Sequence, residues 1–128
     1  MSATDVVVAL AGARKASQLY PPTHPEHVSA TRALIGAVGA VTAQDAFTLN
    51  VHQGRLYDRS TVLAEGTPGV AAIRESFESR RIESMTFHAG FGERDAAGLV
   101  EVLSLRPSPD LDAAHGHRAL VTAAGREQ

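Results

Sequence analysis

Leu19-Tyr20-Pro21-Pro22-Thr23-His24-Pro25-Glu26-His27 is a rigid joint between two segments of helical periodicity. On its N-terminal side Val6, Leu10, Ala13 and Tyr20 recur at helical spacing; on its C-terminal side Val28, Leu34, Ile35, Val38 and Val41 do the same. Pro21 and Pro22 lack an amide hydrogen and fix φ, and a residue before proline avoids the α region, so the first helix should stop near Tyr20. Thr23 is placed to cap the second helix, with Glu26 three residues later completing a capping box. The pattern predicts a helix over about 4–20, a corner bearing an aromatic ring and an imidazole, and a helix over about 24–43.

The second helix carries Gly36 and Gly39 beside Ala33, Ala37 and Ala40. Each interior glycine costs about 1 kcal/mol of helix propensity. Such a run makes sense where another backbone approaches closely. Two partners fit: the domain's own sheet, or the same helix of a second copy.

Further on, Phe47, Leu49 and Val51 alternate with Thr48, Asn50 and His52, the period of a half-buried strand. Gln53-Gly54 predicts a tight hairpin into a second strand that starts at Leu56-Tyr57 and runs to about residue 63. Gly66-Thr67-Pro68-Gly69 then opens a third helix, with Thr67 as cap, Pro68 at the first helical position, Val70, Ile73 and Phe77 as the buried stripe, and Ile82 closing it. A third strand is expected over about 84–88, with Met85 and Phe87 on one side. After Gly90 and Gly92 a helix over about 93–105 should bury Leu99, Val102 and Leu103 and stop at Pro107 and Pro109; a last helix over about 110–124 should bury Leu111, Ala114 and Val121. The order is ααββαβαα: a single α+β domain over 1–128 with a small, mostly antiparallel three-stranded sheet. Its open edges require cover.

Composition narrows the function classes. Hydrophobic residues make up 44% of 128, but alanine and valine dominate, tryptophan is absent and aromatics are 5%. Such a core gains less per side chain, so close helix approach or a partner surface must supply the rest. The net charge is −2. Without a basic surplus, nucleic acid is not an expected partner. Arg74, Arg80 and Arg81 alternate with Glu75, Glu78 and Glu83, which reads as an exposed, salt-bridged helix face. Absence of cysteine removes disulfides, thiolate metal sites and thiol nucleophiles. Val6-Val7-Val8 is too short for a signal sequence, and no stretch nears the roughly 20 apolar residues of a membrane span. The expected compartment is the cytoplasm. Lys15 is the only lysine in an Ala/Gly/Arg/Val-rich chain, a usage typical of high-GC bacterial genomes.

Three stretches carry a family resemblance: Tyr20-Pro21-Pro22-Thr23-His24-Pro25; then Phe47-Thr48-Leu49-Asn50-Val51-His52-Gln53-Gly54-Arg55-Leu56; then Arg80-Arg81-Ile82 with Met85-Thr86-Phe87-His88-Ala89-Gly90. Together they resemble the "YPPxHP" domain at the N-terminus of uncharacterised multi-domain bacterial proteins, ahead of HD-type phosphohydrolase domains or HEAT-like repeats. The likeness runs from about Ala16 onward, and Thr23 stands where that family carries glycine. It implies a regulatory or assembly domain, either an N-terminal module of a longer protein or a free-standing relative, with a further strand beyond the last helix. It transfers no catalytic residues.

Candidate chemistry is sparse. His24-x-x-His27 sets two imidazoles about one turn apart but lacks a third ligand. His115 and His117 diverge on a helix by roughly 200°. Gly66-Thr67-Pro68-Gly69 lacks the lysine and spacing of a phosphate loop, and no nucleophile-elbow pattern surrounds Ser60, Ser76, Ser79, Ser84 or Ser104. Asp45, Asp58 and Asp95 are not brought together by spacing. No cofactor, metal or catalytic residue is expected.

The leading expectation is a non-catalytic interaction module, a homodimer or a platform docking another domain. Its contact residues would be Tyr20, Pro21, Pro22 and His24 at the corner, with Ala33, Gly36, Ala37 and Ala40 on the second helix. The alternative is a regulatory domain sensing a small ligand or anion, with His24, His52, Arg55 and His88 converging. That reading brings His52 and His88 together through strand pairing. A metal-dependent hydrolase built on the histidines ranks third.

Overall fold

The computed structural model describes residues 2–43, 45–104 and 119–122. Helix α1 (Ala3–Leu19) opens with a reciprocal cap: the Ser2 hydroxyl accepts from the Asp5 amide, and the Asp5 carboxylate accepts from the Ser2 amide at 2.8 Å. Val6, Leu10 and Ala13 are buried as their spacing predicts, joined by Ala3, Val7 and Ala16. Tyr20 ends the helix at φ −135°, ψ 147°, the extended conformation a following proline enforces.

Helix α2 (Pro25–Thr42) is capped by His24, not Thr23. Pro25 occupies the first helical position, so the cap falls one residue later than the Thr23–Glu26 box requires. Nδ1 of His24 accepts from the Glu26 amide at 3.1 Å. Thr23 is exposed.

Strands β1 (Phe47–His52) and β2 (Arg55–Asp58) form the expected hairpin, with Gln53 and Gly54 at φ 54° and 77°. Two consecutive left-handed residues twist the turn in the sense of the strands it joins. The second strand does not run on to residue 63. It breaks at Arg59 (φ 58°), and β3 (Thr61–Val62) folds back with Val62 opposite Tyr57. Arg59 is held there from several sides. Its amide donates to the Thr48 carbonyl at 2.9 Å, its carbonyl accepts from Asn50, and its guanidinium reaches the Ala46 carbonyl and Asp45.

Helix α3 (Val70–Arg80) starts later than its Thr-Pro signal implies, because Gly69 (φ 88°) is the cap and Thr67 lies in the preceding turn. A Cβ on Gly69 would sit 3.0 Å from the Ala11 methyl and 3.2 Å from the Val7 carbonyl oxygen. Glycine is required twice here, for the backbone and for the approach of α1. Arg81 (φ 60°) closes α3, and Ile82, expected to end the helix, instead begins β4 (Ile82–Phe87).

Helix α4 (Glu93–Ser104) follows a turn through Gly90 (φ 93°), where the Asp95 carboxylate accepts from the Gly92 amide at 2.9 Å. It buries Ala96, Leu99, Val100 and Leu103, whereas Val102, expected in the core, is 37% exposed. Residues 119–122, expected within a helix, form β5 (Ala119–Thr122), parallel to β4; the rest of that expected helix lies outside the described residues.

The fold is α+β, with five strands among the described residues rather than three, in the order β3-β2-β1-β4-β5, antiparallel except for the last pair. Phe47, Leu49, Leu56, Met85 and Phe87 are buried, and α3 packs against β1, β2 and β4. Helix α1 packs in turn on α2, α3 and α4. Phe47 lies opposite Phe87 and stacks on it at 4.9 Å. The alternate residues Thr48, Asn50, Tyr57, Ser84 and Thr86 are only half-buried, and the Thr48 and Thr86 hydroxyls meet at 3.0 Å. One irregularity interrupts β4. Its register with β5 shifts between Ile82 and Ser84, so Ile82 is buried together with Met85, three residues away instead of two. Phe77, Phe87, Leu10, Leu34, Leu49 and Ile73 are among the largest fully buried side chains, each stabilising the fold by roughly 1.5–3 kcal/mol.

Candidate interaction surface

The corner between α1 and α2 is stiff by construction. The Tyr20 amide donates to the Ala16 carbonyl at 2.8 Å, and the His24 amide donates to the Pro21 carbonyl at 2.9 Å. The Tyr20 and His24 rings stack with centroids 4.3 Å apart and planes 23° apart. Ring packing therefore occupies one face of the His24 imidazole, and capping occupies its Nδ1. Pro21 and Pro22 are exposed, and Leu19 beside them is 61% exposed. Leu19 was not among the corner residues singled out from the sequence. The signal was present: it falls off the Ala13–Ala16 line that α1 buries.

From this corner α2 carries a ridge of small residues outward. Ala33, Gly36 and Ala40 are exposed, as are Ser29 and Ala43, which share their side of the helix at i, i+4, i+7 spacing. A Cβ on Gly36 or Gly39 would meet nothing within 4 Å. The glycines therefore do not serve close packing on the domain's own sheet. Ala37 departs from its expected role: it is 6% exposed and belongs to the core with Leu34 and Val38. A rotation of about 100° per residue places it off the Ala33–Gly36–Ala40 line.

The other expected cluster does not assemble. His52 and Arg55 face each other across the β1–β2 hairpin, where His52 meets the Tyr57 ring edge-on at 6.4 Å. His88 follows Phe87, which pairs with Phe47 at the far end of β1. Antiparallel pairing thus separates His52 from His88 by the length of a six-residue strand, about 17 Å. His24 sits on the helical corner. All of His52, Arg55 and His88 are exposed. Among the described residues no group of three or more His, Cys, Asp or Glu is placed to hold a metal ion, and no helix is long and apolar enough to cross a membrane. His115 and His117 lie outside the described residues.

The charged face of α3 divides. Arg74 bonds Glu65 at 3.0 Å and Glu78, one turn on, at 2.8 Å, as a salt-bridged face should. The Glu65 hydrogen bond, helped by the charges of Glu65 and Glu78, raises the Arg74 pKa further above its ordinary value. Arg80 behaves differently. It follows Ile73, Ser76 and Phe77 at i+7, i+4 and i+3, and its nitrogens are buried.

Comparison with protein-family models, curated proteins and solved structures finds no match for this chain.

Proposed function

We propose that this domain is a non-catalytic interaction module of a bacterial signalling or assembly system, one that pairs with a second copy of itself through α2. The observation that carries this reading is the open ridge of Ala33, Gly36 and Ala40, with nothing within 4 Å of where a Gly36 side chain would begin. Two helices meeting along such a ridge can approach to about 8 Å between axes, the close end of helix packing. That approach gives the interior glycines a purpose the monomer does not. Leu19, Pro21 and Pro22 extend the surface with apolar area held in place by the Tyr20–His24 stack. A stable pairing needs about 800 Å² from each partner, so the seam must draw on the corner as well as the ridge. The resemblance to "YPPxHP" domains points the same way, toward attachment and regulation. The dispersal of His24, His52, Arg55 and His88 weighs against the small-ligand alternative.

Sedimentation tests the proposal. The parent chain is expected to sediment as a dimer that dissociates on dilution, and Gly36→Leu as a monomer at every concentration. Equal monomeric mass for both would end this reading.

A further inference from the structure

Arg80, near the C-terminal end of α3, presents an electrostatic anomaly. Its Nε, Nη1 and Nη2 atoms are all buried, and none has a hydrogen-bond partner among the described residues. The same holds for the Ser76 hydroxyl, on a residue only 3% exposed. The two are four residues apart on α3, hence about 6 Å apart along its axis on the side that also buries Ile73 and Phe77. Arg59 and Arg74, both closer to solvent, are paired with carboxylates. Arg80 is thus a guanidinium with all three nitrogens buried and no counter-charge among the described residues; of the Arg14 guanidinium, Nε alone shares that state.

Burying a charge with no partner works directly against the small net stability of a domain this size. The buried donors have a common character. A guanidinium presents N–H groups in a planar fork that matches two oxygens of one acceptor, and a serine hydroxyl adds another donor beside it. No carboxylate among the described residues lies within ion-pair distance. A group that satisfies this set brings at least two oxygens and a negative charge.

We infer that Arg80 and Ser76 form a binding site for a small oxyanion, a phosphate or a carboxylate, on the inner side of α3. Binding completes the domain rather than feeding a reaction, because no nucleophile or acid–base pair accompanies the donors. Since the guanidinium nitrogens are closed to solvent, the anion enters when the packing around the C-terminal end of α3 opens locally. The site is independent of the α2 ridge, so self-association and anion binding succeed or fail separately.

Thermal unfolding of the whole chain tests it, in chloride, inorganic phosphate and succinate at matched ionic strength, for the parent, Arg80→Met and Ser76→Ala. Phosphate stabilises most proteins by exclusion, so the readout is the difference between parent and variant in one buffer. The parent Tm is expected to rise by roughly 5 °C or more in the anion that fits, and the arm that produces the rise identifies phosphate or carboxylate. Arg80→Met should lose that increment yet melt above the parent in chloride, because its buried charge is gone. Ser76→Ala should keep the increment but need several-fold more anion to reach it. Equilibrium dialysis against labelled phosphate or succinate should show saturable uptake by the parent and none by Arg80→Met. If parent and Arg80→Met respond identically in both anions, water or an alternative arginine conformation satisfies the donors and the inference is wrong. Should Arg80→Met fail to fold, an undiminished response in Ser76→Ala with no saturable uptake by the parent overturns it equally.

Discussion

Replacing Gly36 by alanine separates the stability of the α2 ridge from its use. Gly36 lies well inside a helix of 18 residues, is exposed, and has nothing within 4 Å of an added methyl group. Alanine therefore meets no obstruction and gains the full propensity difference, about 0.8–1.0 kcal/mol. For a chain of 128 residues this corresponds to a rise in Tm of roughly 3–5 °C. At a helix–helix seam the same methyl acts oppositely. It appears on both copies and holds the axes apart, so the dimer dissociation constant should rise by about tenfold, equivalent to 1.4 kcal/mol. Urea denaturation at several protein concentrations reads both effects. At high dilution Gly36→Ala should unfold at higher urea than the parent, with an unchanged m-value; at high concentration the two curves should converge as the parent gains from association. A lower midpoint at high dilution would refute the open geometry of the ridge. A constant stability gap at every concentration would refute its role as a seam.

Two further outcomes follow from the same framework. Gly69→Ala should destabilise by roughly 2–4 kcal/mol in thermal unfolding, since it combines a left-handed φ with contacts at 3.0 and 3.2 Å from α1; a loss below about 1 kcal/mol would contradict the α1–α3 approach. His24→Ala should cost about 1–2 kcal/mol by removing both the cap and the Tyr20 stack, and His24→Asn should recover the cap alone, so equal losses for the two variants would show that Nδ1 does not cap α2.

The parts of the fold that were legible in the sequence are those whose burial follows one period. The stripes of α1 and α3, the alternation through β1 and the Gln53-Gly54 turn all satisfy a local rule that the rest of the molecule reinforces. Ala119-Leu120-Val121-Thr122 did not read as a strand because a short apolar run fits either period, and its pairing with β4 joins residues far apart in the chain. The break at Arg59 was hidden for a related reason. No glycine marks it, and its left-handed backbone is held by contacts to Asp45, Ala46 and Thr48. His24 displaced Thr23 as the cap because Pro25 set the helix start, a competition between two correct signals.

Of the candidate surface, the corner was readable because proline acts locally. Whether the Ala/Gly run faces inward or outward was not, since small residues are compatible with both; only the position of Leu34, Ala37 and Val38 in the core fixes the rotation of α2. Arg80 was misread for the opposite reason. Its neighbours Glu78 and Arg81 argue for an exposed face, while its spacing from Ile73 and Phe77 argues for burial, and the spacing prevailed.

The register shift in β4 divides that strand into two regimes of tolerance. Beyond it, the odd-numbered Met85 and Phe87 are buried and refuse a charge; before it, the refusal passes to an even number, Ile82, and the charged Glu83 is exposed. The surplus residue is what lets Ile82 and Met85 share the core at a spacing of three; a chain lacking Glu83 would hold the same two side chains inward by plain alternation, so this strand can lose that residue without emptying the core.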